Sequence, residues 1–286
     1  MTDIPDAGSA ASWLHEAAQL NRDDPNREGS LLTFASAGQL VMTGDLHGNL
    51  RNFDKLERFC ALDRSPGRSV VLHELIHSEP EHYGAPDYSI DLLIRAVRWK
   101  CDFPDNVYFL QSNHELSQLQ RHEIVKGGRS VLHDFDAGIR DRFGAAADKV
   151  LDGVMDYIES LPLAARTANG IMLSHSLPSS NTMDSFDETV FARTPNDFDL
   201  NPGGAAHNLV WGRFQPPGAI ERFGERLGVD IFIVGHTPQE MGHTVVGRLI
   251  IIASDHQHGV FLPIDLSRKY TVDELERGIR KFAGVE

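Results

Sequence analysis

Short apolar runs alternate with amphipathic segments along most of the chain, and this alternation restricts the class of fold. The runs are rich in Val, Ile, Leu and Phe, which is typical of buried strands, whereas the segments between them carry apolar residues at helical spacing. We predict strands at 38–43, 69–72, 106–110, 170–173, 230–234, 244–246, 249–253 and 259–264. We predict helices at 12–20, 50–62, 88–100 and 217–227, mostly helical structure from 114 to 161, and a last helix after Thr271. This order indicates an α/β fold whose active-site loops follow the carboxyl ends of the strands.

The length of 286 residues suits one large domain with a sizeable core. We interpret residues 1–38 as an N-terminal extension with a short helix, and residues 39–286 as the main domain. Within that domain, residues 181–207 are rich in Asp, Asn, Thr and Pro and are predicted to form a loop-rich insertion.

Charge and composition restrict the partners and the compartment. The net charge is −14, from 27 basic and 41 acidic residues, which disfavours binding to nucleic acid or to anionic membranes. No run approaches the roughly 18 apolar residues of a membrane-spanning helix, and the acidic N-terminus lacks the apolar centre of a signal peptide. With only two cysteines, a disulfide framework is not expected, so we predict a cytoplasmic protein. The 14 histidines are many for this length and hint at metal chemistry.

Five short polar motifs each follow a predicted strand directly. They are Gly44-Asp45-Leu46-His47-Gly48-Asn49, His73-Glu74, Ser112-Asn113-His114-Glu115, Ser174-His175 and Gly235-His236-Thr237-Pro238. Singly, each motif is weak, because a histidine at a strand end is more often a hydrogen-bonded structural residue. Together they bring carboxylate, imidazole and amide oxygen to one edge of a sheet, a ligand set that suits manganese, iron or zinc.

The order of these motifs resembles the calcineurin-like metallophosphoesterases, whose pattern is GDxH, GDxxDRG, GNHE, a single His, and GHxx. The branch it resembles most contains the phosphoprotein phosphatases and the bacterial diadenosine tetraphosphate hydrolases. Asp45 and His47 match the first motif, and Asn113 and His114 match the third. Trp211-Gly212-Arg213 is similar to the segment that carries a phosphate-binding arginine in that branch. The resemblance, over about residues 39–265, implies a four-layer α/β/β/α sandwich with two mixed β-sheets.

The second motif departs from the family pattern. Glu74 stands where the family has the Asp that bridges two metals, and it is longer by one methylene, about 1.5 Å. His77 replaces the Asp that orients the general acid, so Glu115 becomes a candidate for that role. Ser78 replaces an arginine that holds substrate phosphate, so either the affinity for substrate is lower or another base such as Arg51 supplies that contact.

The resemblance implies hydrolysis by two divalent metal ions, with manganese expected and iron or zinc as alternatives. Metal one would be bound by Asp45, His47 and Glu74, and metal two by Glu74, Asn113, His175 and His236. A hydroxide that bridges the metals would attack phosphorus in line. His114 would protonate the leaving oxygen, and Arg213 would neutralise the phosphoryl group, with Asn113 and Arg51 as further substrate contacts. The substrate would be a phosphorylated protein or a small phosphate ester.

Four alternatives remain open from the sequence. A nucleotide or dinucleoside polyphosphate hydrolase would use the same chemistry. The run His73-Glu74-Leu75-Ile76-His77 also matches the HExxH motif of zinc proteases, which needs a helix through both histidines. In a modified phosphoesterase site, His73 or His77 would instead be an extra metal ligand. Finally, the altered second motif is compatible with a catalytically weakened binding protein. The substrate, the native metal and the oligomeric state do not follow from the sequence.

Overall fold

The computed structural model describes residues 5–79, 82 and 84–285. The prediction that the chain has no signal peptide rests partly on residues 1–4, which lie outside the described residues. The helices are α1 Ala7–Arg22, α2 Leu50–Cys60, α3 Ile90–Asp102, α4 Asn113–Gln120, α5 Val131–Phe143, α6 Ala147–Glu159, α7 Ser180–Met183, α8 Asp197–Leu200, α9 Ala205–Trp211, α10 Pro217–Leu227 and α11 Val272–Gly278. Short 3₁₀ helices lie at Gly144–Ala146, Glu188–Ala192 and Phe282–Gly284. The strands are β1 Arg27–Glu28, β2 Leu31–Phe34, β3 Gln39–Thr43, β4 Arg68–His73, β5 Val107–Leu110, β6 Val125–Lys126, β7 Arg129–Ser130, β8 Ala164–Thr167, β9 Ile171–Ser174, β10 Ile231–Val234, β11 His243–Val246, β12 Leu249–Ile252, β13 Val260–Asp265 and β14 Arg280–Lys281.

The strands form two large mixed sheets and one hairpin. The larger sheet has the order β1-β2-β8-β9-β10-β12-β11, and the smaller sheet has the order β14-β13-β3-β4-β5. Strands β3, β4 and β5 are parallel to one another, as are β9, β10 and β12. Antiparallel neighbours at the sides, such as β13 beside β3 and β11 beside β12, make both sheets mixed.

Three apolar clusters define four layers. In β4, Val71 faces the cluster between the two sheets, whereas Val70 and Leu72 face the cluster under α1, α2, α3, α5 and α6. This alternation is the period of two expected of a strand. A third cluster packs α9 and α10 against the outer face of the larger sheet. The predicted four-layer α/β/β/α sandwich is therefore confirmed.

The segment before residue 39 contributes to these layers. Helix α1 is longer than the predicted 12–20, because the Asp6 carboxylate accepts hydrogen bonds from the backbone N–H groups of Gly8 and Ser9 and caps it. The helix packs against α3 and α6 with Leu14 fully buried, and β2 pairs in parallel with β8. The domain boundary at residue 39 stays a prediction.

Most predicted elements are confirmed within a few residues, and the differences lie in short segments. Strands β1, β2, β8 and β14 and the hairpin β6–β7 were not predicted. The segment 181–207, expected to be loop-rich, includes α8, the 3₁₀ helix Glu188–Ala192 and parts of α7 and α9. Among the described residues, no helix combines the length and the apolar character that a membrane crossing requires.

Candidate active site

The five predicted motifs meet where the two sheets converge. Asp45 follows β3 and forms an isolated parallel bridge with Ala253, which follows β12 of the other sheet. Glu74 directly follows β4, and Asn113 begins α4 after β5. His175 follows β9, and His236 follows β10 after Gly235. All five side chains are buried, with at most 8% of each residue exposed. Neighbouring parallel strands end at one edge, so residues far apart in sequence meet there.

Glycine at position 235 is required by this convergence. A Cβ atom at Gly235 would lie 2.2 Å from Asp45 Oδ1 and 2.5 Å from His73 Cε1. The next residue, His236, uses its backbone N–H to donate to the Asp45 carboxylate, at 2.9 and 3.0 Å from the two oxygens. A side chain at position 235 would therefore push the two motifs apart.

Four donor atoms, from Glu74, Asn113, His175 and His236, form a compact group. His175 Nε2 lies 2.7 Å from Asn113 Oδ1, 3.0 Å from His236 Nδ1 and 3.2 Å from Glu74 Oε2. Asn113 Oδ1 lies 3.0 Å from His236 Nδ1. Ligands with bonds of about 2.1 Å to one ion lie roughly 3.0 Å apart when the bonds are at right angles. These are the four residues predicted for metal two, and their spacing fits one cation.

The Glu74 carboxylate gives an independent indication that the site suits a cation. Its Oε2 atom is buried and has no hydrogen-bond partner among the described residues. Burial, reinforced by the nearby carboxylates of Asp45 and Glu115, raises the pKa of Glu74 well above its ordinary value. Because a buried carboxylate without a donor is costly, a positive ion is the partner that this arrangement fits.

The three residues predicted for metal one are less well assembled. His47 Nε2 lies 3.8 Å from Glu74 Oε1, and the ligand atoms of these two residues and of His114 all lie within 4.8 Å of one another. Asp45 instead belongs to a group with His73 and His175. Burial raises the pKa of Asp45 to about 7. Glu74 lies between the group of His47 and the group of His175, with Oε1 toward His47 and Oε2 toward His175.

The second motif does not form the helix that a zinc protease needs. Strand β4 ends at His73, and residues 74–79 form no helix. His73 and His77 also face different neighbours: His73 contacts His175 and Thr43, whereas His77 contacts His114 and Gln118. The HExxH alternative is therefore wrong.

His114 is buried beside the Glu74 carboxylate. Its Nε2 atom lies 3.6 Å from Glu74 Oε1, and its Nδ1 atom lies 2.8 Å from His77 Nδ1. Burial, with smaller contributions from neighbouring histidines, lowers the pKa of His114 well below its ordinary value. Glu115, considered from the sequence as its support, instead accepts hydrogen bonds from the Leu75 backbone N–H, at 2.8 Å, and from Ser112. The side chain within hydrogen-bond distance of His114 Nδ1 is therefore that of His77, not that of Glu115.

Burial also lowers the pKa of three other histidines of this region. The pKa falls to about 4 for His73 and to about 3 for both His77 and His236. In each case removal from water is the largest cause, because an imidazolium loses hydration that the buried site does not replace. These rings are therefore neutral near pH 7, as metal ligands and hydrogen-bond acceptors must be.

A cavity of about 790 Å³ opens above these side chains. Two cationic side chains line it: Arg213, as predicted, and Lys126, which the sequence analysis missed. Neither forms an ion pair within 4.0 Å among the described residues. Arg51, proposed from the sequence as a substitute phosphate ligand, is exposed on α2 and does not line the cavity. Ser78 lines it but donates a hydrogen bond to Asp87.

The signal for Lys126 is the Gly127-Gly128 pair that follows it. Both glycines have positive φ, 58° and 78°, and they form the two-residue turn between β6 and β7. A Gly-Gly pair between two short runs predicts such a hairpin. Our assignment of residues 114–161 as mostly helical concealed it.

The sequence model of the calcineurin-like phosphoesterase family matches residues 39–240, and the chain belongs to this family. A search of curated proteins finds no significant match. Among solved structures, a protein serine/threonine phosphatase from Saccharomyces cerevisiae matches with a TM-score of 0.68 and 16% identity, over 99% of this chain and 91% of that chain. A cold-active protein-tyrosine phosphatase from a psychrophilic Shewanella matches with a TM-score of 0.60 and 15% identity, over 93% and 82% of the two chains. At these identities the likeness shows the fold.

Proposed function

We propose that the protein is a metal-dependent phosphomonoesterase of the protein-phosphatase type, with two divalent ions at the edge where the sheets converge. The observation that carries this proposal is the group of donor atoms from Glu74, Asn113, His175 and His236, which lie 2.7–3.2 Å from one another along the measured pairs. The orphaned Glu74 Oε2 supports it, as does membership of the phosphoesterase family.

Six side chains of the cavity would then have chemical tasks. When bound, two divalent ions would supply an activated water and positive charge for phosphoryl transfer. Glu74, which faces both groups of donors, would bridge the two ions, with Asp45 and His47 on one side. Arg213 and Lys126 line the same cavity as His114, so they can neutralise the phosphoryl oxygens while His114 donates a proton to the leaving oxygen.

The first test measures metal-dependent turnover. Protein stripped of metal is titrated with Mn²⁺, Fe²⁺ or Zn²⁺ while hydrolysis of an aryl phosphomonoester is followed. Asn113→Ala removes one donor of the group, and Asn208→Ala, on α9 outside the cavity, is the matched control. We expect turnover that requires metal, is lost in Asn113→Ala and is retained in Asn208→Ala. No turnover with any of the three metals would contradict a phosphomonoesterase.

A second comparison separates the substrate classes. A phosphorylated peptide and a dinucleoside polyphosphate are each supplied to the Mn²⁺-loaded protein, and kcat/KM is compared. Preference for the phosphopeptide supports the protein-phosphatase assignment, and preference for the dinucleotide would assign the alternative polyphosphate hydrolase. Metal binding without turnover on either substrate would favour the weakened binding protein. A cytoplasmic site of action is part of the proposal, in keeping with the free thiols of Cys60 and Cys101.

A further inference from the structure

The two histidines that flank the altered second motif each stand behind a histidine of the site. His73 Nδ1 lies 3.0 Å from His175 Nδ1, and His77 Nδ1 lies 2.8 Å from His114 Nδ1. All four rings are buried. Each Nδ1···Nδ1 distance is that of a hydrogen bond, so one nitrogen of each pair must carry the proton and the other must accept it.

For the first pair, a backbone carbonyl decides which nitrogen carries the proton. His73 Nε2 lies 2.9 Å from the Thr43 carbonyl oxygen, which can only accept. His73 Nε2 is therefore protonated. A second proton on Nδ1 would bury a cation in a residue that is only 1% exposed, which is costly. His73 Nδ1 is therefore the acceptor, and His175 Nδ1 is the donor.

The consequence for His175 concerns its other nitrogen. With its proton on Nδ1, His175 carries a lone pair on Nε2. This atom lies 2.7–3.2 Å from Asn113 Oδ1, His236 Nδ1 and Glu74 Oε2, the other three atoms proposed to bind metal. A ligating histidine commonly donates its second N–H to a carboxylate, a carbonyl or water, which fixes the tautomer and the ring orientation. Here another imidazole occupies that place.

For the second pair, His77 and His114, the side chain of Gln118 decides which nitrogen carries the proton. Gln118 Nε2 donates to Asp136 Oδ1 at 2.8 Å, because the carboxylate can only accept. The amide oxygen of Gln118 therefore faces His77 Nε2, 3.0 Å away, and that nitrogen is the donor. By the same reasoning His77 Nδ1 accepts from His114 Nδ1. In the neutral ring, His114 Nε2, which is 3.6 Å from Glu74 Oε1, then carries the lone pair, so it must take up a proton before it can pass one to a leaving oxygen.

We propose that His73 and His77 are positioning residues that fix the ring tautomers of His175 and His114. The HExxH run is thus a pair of supports around the bridging carboxylate rather than a set of metal ligands. The effects on metal binding and turnover rest on the proposed function, whereas the ring tautomers do not depend on it.

The direct test is the protonation state of each ring in metal-free protein at neutral pH. Histidine is labelled with ¹⁵N, and long-range ¹H–¹⁵N correlation spectra are assigned by single His→Phe variants. We expect His175 and His114 to carry the proton on Nδ1, and His73 and His77 to carry it on Nε2. An Nε2-protonated His175 or a doubly protonated His73 would overturn the proposal. So would a His73 Nδ1 resonance that moves to a metal-ligand shift on addition of Zn²⁺.

The second readout is the affinity for Mn²⁺, measured by titration calorimetry. His73→Phe should raise the Kd for Mn²⁺ by about 10- to 100-fold, the usual effect of losing a residue that orients a ligand. His77→Phe should change that Kd less than about threefold but lower kcat, because it supports the proton donor and not a ligand. His133→Phe, at an exposed position of α5, is the matched control. Equal Kd values in His73→Phe and the wild type would contradict the role of His73, whereas a wild type that binds no Mn²⁺ would contradict the proposed function instead.

Discussion

Placing an aspartate at position 74, where the proposed function puts the bridging carboxylate, should weaken the site rather than improve it. Glu74 Oε2 lies 3.2 Å from His175 Nε2, within the span of two ligands on one ion. An aspartate is shorter by about 1.5 Å, which would place its oxygen up to about 4.7 Å from that nitrogen. Two ligands with bonds of about 2.1 Å cannot be farther apart than roughly 4.2 Å. Glu74→Asp therefore loses contact with one of the two donor groups.

The expected loss in Glu74→Asp is large because, under the proposed function, Glu74 contacts the metal ions directly. Loss of an outer residue costs about 10- to 100-fold in metal affinity, so we expect the Kd for Mn²⁺ to rise by at least about 100-fold. The backbone should tolerate the change: Glu74 has φ +51°, and Asp is among the residues that occupy this region most readily.

The assay combines calorimetric titration with Mn²⁺ and turnover of an aryl phosphomonoester. Glu225→Asp, at an exposed position of α10, makes the same chemical change far from the cavity and should behave as the wild type. Circular dichroism checks that the fold is retained. Wild-type affinity and kcat in Glu74→Asp would contradict this prediction, because they would show that the loop after β4 can move forward by the missing length.

Three further predictions follow from charged groups. Lys126→Ala should raise KM about tenfold with a smaller change in kcat, because an exposed cation contributes mainly to binding the phosphoryl group, and an unchanged KM beside the exposed control Lys149→Ala would contradict this. Lys100→Ala should cost about 3–5 kcal/mol in urea unfolding, because it leaves the carboxylate of Asp24 buried without its partner at 3.4 Å, and a cost below about 1 kcal/mol would refute it. In metal-free protein, the raised pKa of Asp45 keeps a proton on its carboxyl group in the folded state. The stability of the wild type relative to Asp45→Asn should therefore fall as pH rises from 3.8 to about 7. Thermal unfolding measures this difference, and a difference that does not change with pH would contradict the prediction.

The residue pattern alone indicated most of the strands and the donor groups at their ends, whereas the four-layer order was implied by the family resemblance. Apolar runs at the correct period identify strands such as β4 and β10 because their burial depends on local pattern. The strand-end motifs could be placed at one edge because parallel strands end together. Strand β8, Ala164–Thr167, carries two alanines and no alternation, and it exists because β2 and β9 pair with it on either side. Such pairing joins residues far apart in the chain, and local pattern does not report it.

The same limit applies to the site. Donor types at Glu74, Asn113, His175 and His236 are legible from the sequence, since the chemistry of a ligand belongs to its side chain. The contacts between these groups depend on the tertiary structure: His77 and not Glu115 lies within hydrogen-bond distance of His114, and Lys126 and not Arg51 lines the cavity. These contacts depend on where a hairpin and a loop lie in space. The sequence determines the chemistry available to each side chain, whereas the packing of distant segments determines which groups that side chain contacts. This is because hydrogen bonds and charge contacts act only over a few ångströms.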